Sequence, residues 1–102
     1  MDATTLKHIL KSVLEGYSGE GLNGYSYLTQ DPDENVFTSV SVGQIDGHEI
    51  TFVDLLVRFV GEHVVIVEDR NSEPLVEALL DAKVPRNQII LAYRGEPVPE
   101  SA

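Results

Sequence analysis

Two short, nearly continuous apolar runs near the end of the chain constrain the fold more than any other feature. They are VVIV at residues 64–67 and IILAY at residues 89–93. Apolar runs of this length are typical of strands that are covered on both faces. The span from Val64 to Tyr93 is long enough for a β-α-β crossover, which makes its two strands parallel. The pattern therefore predicts a C-terminal strand-helix-strand unit.

The segment between these runs carries the signals of a short helix. Asn71 or Ser72 can cap its N-terminus, and Pro74 falls in its first turn. Lys83 suits its C-terminal end, and Pro85 disfavours helical geometry in the residue before it. The side chains expected on its buried side are Leu75, Val76, Leu79 and Leu80.

The first residues of the chain have the clearest helical periodicity. Apolar side chains recur at helical spacing at Leu6, Ile9, Leu10, Val13, Leu14 and Tyr17. Asp2 and the threonines that follow it can cap the N-terminus, and Gly16 supplies a stop. The spacing predicts a helix from about Ala3 to Gly16.

The middle of the chain is typical of short antiparallel strands. Residues 25–29 form a short strand pattern, and residues 31–35 form a turn cluster that holds Pro32. From Val36 the side chains alternate with period two, which indicates a strand with one buried face. The residues of one face are Val36, Thr38, Val40 and Val42, and those of the other are Phe37, Ser39 and Ser41. Asp46-Gly47 matches a two-residue hairpin turn.

Residues 49–60 are rich in β-branched and aromatic side chains, which favours a strand. A helix stays open as an alternative, because apolar residues also fall at nearly every helical offset. As a strand, the segment is expected to place Ile50, Phe52, Leu56 and Val60 on one face. The predicted fold class is α+β, with an N-terminal helix, an antiparallel or mixed sheet of about five strands and the C-terminal strand-helix-strand unit.

The length of 102 residues predicts a single domain over residues 1–102, with residues 95–102 as an extended tail. No apolar stretch approaches the roughly 18 residues that a membrane span needs. The N-terminus lacks a basic region followed by an apolar run, so we expect a cytoplasmic protein. Cysteine is absent from the sequence, which removes disulfides and thiolate chemistry.

The charge is strongly acidic and unevenly distributed. Seventeen acids against seven Lys and Arg give a net charge of −10, and residues 12–57 contain no Lys or Arg. Because phosphate binding depends on such cations, direct nucleic-acid binding is disfavoured. One interpretation is solubility alone. The other is an electrostatic docking face for a basic protein partner, with candidate contacts at Asp31, Asp33, Glu34, Asp46, Glu49 and Asp54.

Three motif-like spacings fail in their contexts. A G-x-G-x-x-G at residues 19–24 follows a predicted helix and precedes a strand, the reverse of the order in dinucleotide-binding folds. Residues 31–42 begin like a calcium loop but lack its central Gly and its final Glu. Residues 32–33 and 81–83 resemble the acids and lysine of metal-dependent nucleases, yet residues 81–83 lie at a predicted helix end.

His8, His48 and His63 have no partners at metal-ligand spacing, and no Ser, His and Asp grouping can be assembled. We expect each of them at the surface or at a strand edge, and we expect His48, beside the hairpin turn, to be exposed to solvent. The sequence therefore predicts a protein that is not an enzyme, with no catalytic, cofactor-binding or metal-binding residues.

The segment IVEDRNSEPLVEALLDAKVPRNQIILAYR, residues 66–94, resembles the C-terminal part of the XisI family of element excision controlling factors. The features that carry this resemblance are the acidic turn before a capped helix, the segment LVEALLDA, the Val84-Pro85 pair and the strand in RNQIILAYR. The turn after TQDPDEN and the Val42-Gly43 pair extend the resemblance to about three quarters of the chain. The sequence departs from the family pattern at four places. The family has Trp beside Gly43 and at the position of Val65, a Thr-Glu pair where this chain has residues 71–72, and Gly at the position of Lys83.

The resemblance implies a role in controlled excision of a DNA element, beside a recombinase and a partner of the XisH type, which is similar to restriction-endonuclease-like proteins. It implies no catalytic residues. Two alternatives stay open. One is a direct nucleic-acid binder that concentrates its arginines on one face, namely Arg58, Arg70, Arg86 and Arg94. The other is a homo-oligomeric adaptor that pairs through exposed sheet edges.

Overall fold

The computed structural model describes residues 1–16 and 24–99 in full, and residues 19–20 by their backbone. Two α-helices and six strands make up its regular structure. The helices are α1 (Ala3–Glu15) and α2 (Leu75–Asp81). The strands are β1 (Gly19–Glu20), β2 (Gly24–Gln30), β3 (Val36–Ile45), β4 (His48–Val60), β5 (His63–Asp69) and β6 (Ile89–Leu91).

The strands form one mixed sheet in which each pairs with the next along the chain, in the order β1-β2-β3-β4-β5-β6. The first four pairings are antiparallel, and β5 pairs with β6 in parallel. The predicted α+β class and the C-terminal strand-helix-strand unit are both confirmed. Five strands carry the sheet, as expected, because β1 contributes only two residues.

The helix α1 begins and ends where the periodicity predicts. The Asp2 carboxylate accepts a hydrogen bond of 2.7 Å from the Thr5 N–H and so caps the N-terminus. Leu6, Leu10 and Leu14 are completely buried. This stripe attaches the helix to the sheet.

Both helices pack on the same face of the sheet, here called the helix-covered face. Its core contains the leucine stripe of α1, the buried side of α2 and side chains from four strands. The opposite face, here called the open face, has a smaller apolar cluster of Val60, Val65 and Ile90, with Val67 and Ala92 packed against it. The rest of the open face has no helix over it in the described residues.

The alternation in β3 predicts a half-buried strand, and the structure assigns its buried side. Phe37 and Ser39 are each 1% exposed and lie on the helix-covered face, whereas Val36 is 38% exposed. Phe37 lies opposite Val57 in β4 and makes an edge-to-face contact with Phe59, with ring centroids 6.1 Å apart. The more valine-rich face of β3 is therefore the open one.

Residues 48–60 form a strand, so the favoured interpretation is confirmed. The expectation that Ile50, Phe52, Leu56 and Val60 share a face is wrong. Ser39 lies opposite Leu55 and Val40 opposite Val53, so Asp54 is an extra residue in β4. This β-bulge shifts the alternation of β4 by one residue. As a result, Ile50 and Phe52 lie on the helix-covered face, whereas Leu56 and Val60 lie on the open face.

The helix α2 has a different cap from the one expected. Neither Asn71 nor Ser72 caps it. Instead, Asp69 at the end of β5 accepts hydrogen bonds from the Leu75 N–H at 2.7 Å and from the Asn71 N–H at 3.0 Å. One carboxylate therefore accepts hydrogen bonds from a backbone N–H of the loop and from the first N–H of the helix, and it fixes the helix start relative to the end of β5.

The buried side of α2 is narrower than predicted. Leu75 and Leu79 are completely buried and Val76 nearly so, which agrees with the helical spacing. Leu80 is 40% exposed, so its assignment to the core is wrong. A helix of two turns presents only a narrow stripe to the sheet, and Leu80 lies just outside it.

The helix α2 ends in a Schellman motif. The Val84 N–H donates to the Leu79 carbonyl and the Lys83 N–H donates to the Leu80 carbonyl, both at 3.0 Å. Lys83 has a φ of 74°, in the left-handed region where glycine is favoured. The lysine therefore carries backbone strain at this helix end.

Replacing Lys83 by glycine should raise the free energy of unfolding by about 0.5–1 kcal/mol. Glycine relieves the strain of an L-residue in the left-handed conformation, which stabilises the folded protein. Part of this gain is offset because glycine has greater conformational entropy in the unfolded chain. Urea unfolding of the two proteins at neutral pH measures the difference. Lys83→Ala is the matched control and should give little gain, because alanine keeps the strain and removes the same charge. Equal stabilisation by both variants would contradict this explanation.

The last strand is shorter than predicted. Residues 89–91 pair with β5, and Ala92–Arg94 form a 3-10 turn instead of continuing the strand. Glu96 lies after this turn and holds the chain against β6. Its carboxylate accepts hydrogen bonds from the Leu91 N–H at 2.9 Å and from Arg86 Nη2 at 2.8 Å. The Leu91 hydrogen bond and then the Arg86 contact lower the pKa of Glu96.

Glu96→Gln should lower stability more at about pH 7 than at about pH 3. A carboxyl whose pKa is lower in the folded protein stabilises the fold above its unfolded pKa, and this contribution is lost as the pH falls through the folded value. Urea midpoints of wild type and variant at the two pH values measure the difference. Glu77→Gln is the control at an exposed acid of α2. A pH-independent difference for Glu96→Gln would exclude the proposed linkage.

Within the ranges that the structure describes, no helix is long and apolar enough to cross a membrane.

Candidate functional site

The six predicted partner-contact residues do not form one continuous face. Asp31, Asp33 and Glu34 lie in the turn between β2 and β3, whereas Asp46 and Glu49 lie at the hairpin between β3 and β4. These turns stand at opposite ends of β3, which is about 30 Å long at the usual rise per residue. Asp54 lies between them, within β4. The sheet thus separates acids that are close in sequence.

The turn between β2 and β3 uses its first acid for structure. Asp31 Oδ1 accepts hydrogen bonds from the Asn35 N–H at 2.6 Å and from the Val36 N–H at 2.8 Å. The Val36 hydrogen bond, supported by the one from Asn35, lowers the pKa of the Asp31 carboxyl. This carboxylate faces backbone donors, as in an Asx turn, and does not have the outward ligand geometry of a calcium loop.

The same turn is attached to α1 by two lysines. Lys11 Nζ forms an ion pair of 3.1 Å with Glu34 Oε1, and Lys7 Nζ donates to Asn35 Oδ1 at 2.9 Å. The Glu34 charge is therefore partly compensated within the chain. Asp33 is exposed and presents its carboxylate to solvent.

The hairpin between β3 and β4 has the predicted geometry and presents exposed acids. Asp46 has a φ of 52° and Gly47 a φ of 79°, the positive pair that a tight hairpin turn requires. Asp46, His48 and Glu49 are all exposed, so the expected surface position of His48 is confirmed. This end of the sheet therefore carries two carboxylates.

Asp54 is buried in the β-bulge, with 8% of its surface exposed. Its Oδ2 accepts a hydrogen bond of 2.6 Å from Ser41 Oγ, and the Ser41 and Ser26 hydroxyl oxygens are 2.8 Å apart. Asp54 Oδ1 is buried and has no hydrogen-bond partner among the described residues. The Asp54 carboxylate therefore lies hydrogen-bonded beneath the two serines and is not one of the exposed acids of the sheet.

These serines line an open groove of about 280 Å³ on the helix-covered face, toward the hairpin end of the sheet. The lining of the groove, here called the hairpin groove, includes Gly24, Ser26, Ser41, Gly43, Ile45 and Phe52. Gly24 lies opposite Gly43, and a Cβ added at Gly24 would clash with the Val42 carbonyl oxygen. Only glycine fits there.

Sequence reasoning identified Asp54 but neither serine. Ser26 and Ser41 lie 15 residues apart and meet because β2 and β3 pair in one particular register. The sequence offers two hydroxyls on predicted strands as a signal, but the register that joins them depends on the turn geometry.

The arginines required for direct nucleic-acid binding are largely engaged within the chain. Arg70 Nε pairs with Glu68 at 2.9 Å, and Arg86 Nη2 pairs with Glu96 at 2.8 Å. Arg94 lies over the Tyr93 ring. Arg58 is exposed on the open face, opposite Val36. Ion pairs with neighbouring acids reduce the positive potential that a phosphate backbone would meet.

The open face exposes apolar side chains from neighbouring strands. Tyr27, Val40 and Val53 lie side by side across β2, β3 and β4. Tyr27 is 51% exposed, Val53 is 40% exposed, and Tyr25 meets Tyr27 edge to face. No group of three or more potential metal ligands occurs in the described part of the chain.

No family model matches the sequence. A curated relative, the chloroplastic alpha-glucan water dikinase 1 of Arabidopsis thaliana, is 34% identical over an alignment of 91 positions that covers 84% of this chain. The chain spans only 6% of that protein's length.

Two solved structures share the fold. A XisI-like protein from Anabaena variabilis has a TM-score of 0.74 at 17% identity, over 88% of this chain and 85% of that one. The fdxN element excision controlling factor from the same organism, named XisI, has a TM-score of 0.68 at 18% identity, over 90% of this chain and 93% of its own. The fold implied by the sequence resemblance is confirmed.

Proposed function

We propose that this chain, which has the fold of the XisI-like proteins, is a non-enzymatic accessory factor in controlled excision of a DNA element. The shared fold with a protein named as an excision controlling factor carries this proposal. The sequence resemblance adds a specific mechanism, in which the chain acts in the cytoplasm by binding a protein partner of the XisH type.

The charge distribution supports contact with a basic partner. The net charge is −10, and the exposed acids Asp33, Asp46 and Glu49 stand at the two ends of β3. An acidic surface steers association with a basic one and repels nucleic acid. The hairpin acids are the contacts that we test first, because no described lysine or arginine forms an ion pair with them.

The test is co-purification of this chain with an XisH-type protein, followed by affinity measurement. The double variant Asp46→Asn, Glu49→Gln should weaken binding about tenfold, since two rim ion pairs contribute roughly 0.5–1 kcal/mol each. The matched control is Glu77→Gln, Asp81→Asn, which removes two exposed charges from α2. It should leave the affinity unchanged.

Failure to bind the XisH-type protein, together with tight and salt-sensitive DNA binding by this chain alone, would overturn the proposal. A gel shift at two salt concentrations detects that outcome, because phosphate contacts predict a steep salt dependence.

A second candidate is a homo-oligomeric adaptor, and the apolar row on the open face favours it. Tyr27, Val40 and Val53 form a surface that a second copy could cover. Sedimentation of the wild type and of a Tyr27→Lys variant distinguishes the two cases. A dimer that dissociates in the variant would support the adaptor, and a monomer in both would exclude it.

A further inference from the structure

We infer that the hairpin groove binds a lysine or arginine side chain of a protein partner through Ser26, with Asp54 beneath it. This inference rests on the proposed function in taking the partner to be basic. It assigns a recognition role to Ser26 and Ser41, and it makes Asp54 a residue that acts through them.

The polarity of the serine chain follows from proton counting. Ser41 donates its single hydroxyl proton to Asp54 Oδ2, so it has none left for Ser26. The 2.8 Å contact between the two hydroxyls therefore requires Ser26 to donate to Ser41. This leaves lone pairs of Ser26 that can accept a hydrogen bond from the groove. A ligand at this position must bring a hydrogen-bond donor.

The charge beneath the serines selects a cationic donor. Asp54 is 8% exposed, and its Oδ1 has no hydrogen-bond partner in the parts of the chain that the structure describes. The nearby Arg70 bonds the Asp54 carbonyl oxygen through its backbone N–H, while its side chain pairs with Glu68. Because a buried charge is costly without an opposite one, a cation placed over the serines would stabilise the site.

The walls of the groove suit the aliphatic stem of such a side chain. Ile45 is 57% exposed and Phe52 is 38% exposed, and both line the groove. The facing glycines, Gly24 and Gly43, keep the floor free of side chains. Long cationic side chains bury their methylene stems on apolar surface while the charged group finds polar partners.

The experiment uses n-butylguanidinium as the probe and n-butylurea as its neutral counterpart of similar shape. Titration into ¹⁵N-labelled protein, followed by amide chemical shifts, reports where each compound binds. We expect n-butylguanidinium to shift the amides of the groove residues and to bind about tenfold more tightly than n-butylurea, as a charge-assisted contact predicts.

Variants separate recognition from a purely structural role. Asp54→Asn keeps an acceptor for Ser41 but removes the charge, so it should weaken n-butylguanidinium binding about tenfold and leave n-butylurea unchanged. Ser26→Ala should weaken the binding of both. The control is Ser39→Ala, which removes a buried hydroxyl without a described partner on the same face and should leave both affinities unchanged.

Equal binding of the two compounds, shifts outside the groove, or undiminished n-butylguanidinium binding by Asp54→Asn would each overturn the inference. Its failure is distinguishable from failure of the proposed function. If the XisH-type protein binds but n-butylguanidinium does not, only the role of the groove is wrong. If n-butylguanidinium binds but the XisH-type protein does not, the groove serves a different basic partner.

Discussion

Phe37→Ala should lower the free energy of unfolding by about 3–5 kcal/mol, the usual cost of removing a buried aromatic ring. The side chain is 1% exposed, and its ring meets Phe59 edge to face. It lies in the same core as the leucine stripe of α1, so the cavity left behind would loosen the packing between helix and sheet. Urea unfolding followed by far-UV circular dichroism measures the change.

Val36→Ala is the matched control one residue earlier. Val36 is 38% exposed on the open face, so its truncation should cost less than about 1 kcal/mol. The pair tests which side of β3 is buried. Comparable losses from both substitutions would contradict the assignment of Phe37 to the core and Val36 to the surface.

Leu79→Ala should cost about 2–5 kcal/mol, because Leu79 is completely buried where α2 packs on the sheet. The loss reflects both the removed apolar surface and the residual cavity. The midpoint of urea unfolding should fall, while the slope with denaturant stays the same.

Leu80→Ala provides the comparison within the same helix turn. Leu80 is 40% exposed, and alanine is the better helix former, so the change should stay within about 0.5 kcal/mol. A loss from Leu80→Ala as large as that from Leu79→Ala would show that Leu80 is buried in solution, for instance in an oligomer.

Periodicity in the sequence is sufficient to predict the local elements. The spacing of leucines marks α1 with its cap at Asp2, and the Asp46-Gly47 pair marks the β3–β4 hairpin. The apolar runs at residues 64–67 and 89–93 mark a parallel crossover. The helix and hairpin signals work because each depends on neighbours within a few residues. The parallel pairing follows instead from the length of the crossover.

The features that the sequence does not predict depend on contacts between distant residues or on departures from regular spacing. The bulge at Asp54 reverses the alternation of β4, and a strict period of two cannot represent an extra residue. The cap of α2 is Asp69, which lies six residues before Leu75 and accepts a hydrogen bond from its N–H. A search limited to the residues beside the helix finds Asn71 and Ser72 instead.

The candidate site shows the same limit in its chemistry. The acidic composition indicates an electrostatic role, but it does not distinguish a carboxylate that holds a turn from one that faces a partner. Asp31 binds backbone N–H groups and Glu34 pairs with Lys11, whereas Asp46 is exposed. Asp54 becomes interpretable only with the register that places Ser41 above it.

The sequential strand order has a consequence for how the chain folds. From β2 to β5, each strand pairs with the next one along the chain through a short turn, so these sheet contacts close small loops. Such a meander has a low contact order for a β-rich protein, which favours rapid folding. The parallel addition of β6 must instead wait for the crossover through α2. We expect this docking to be the late step, so Ile90→Val in β6 should accelerate unfolding more than it slows folding.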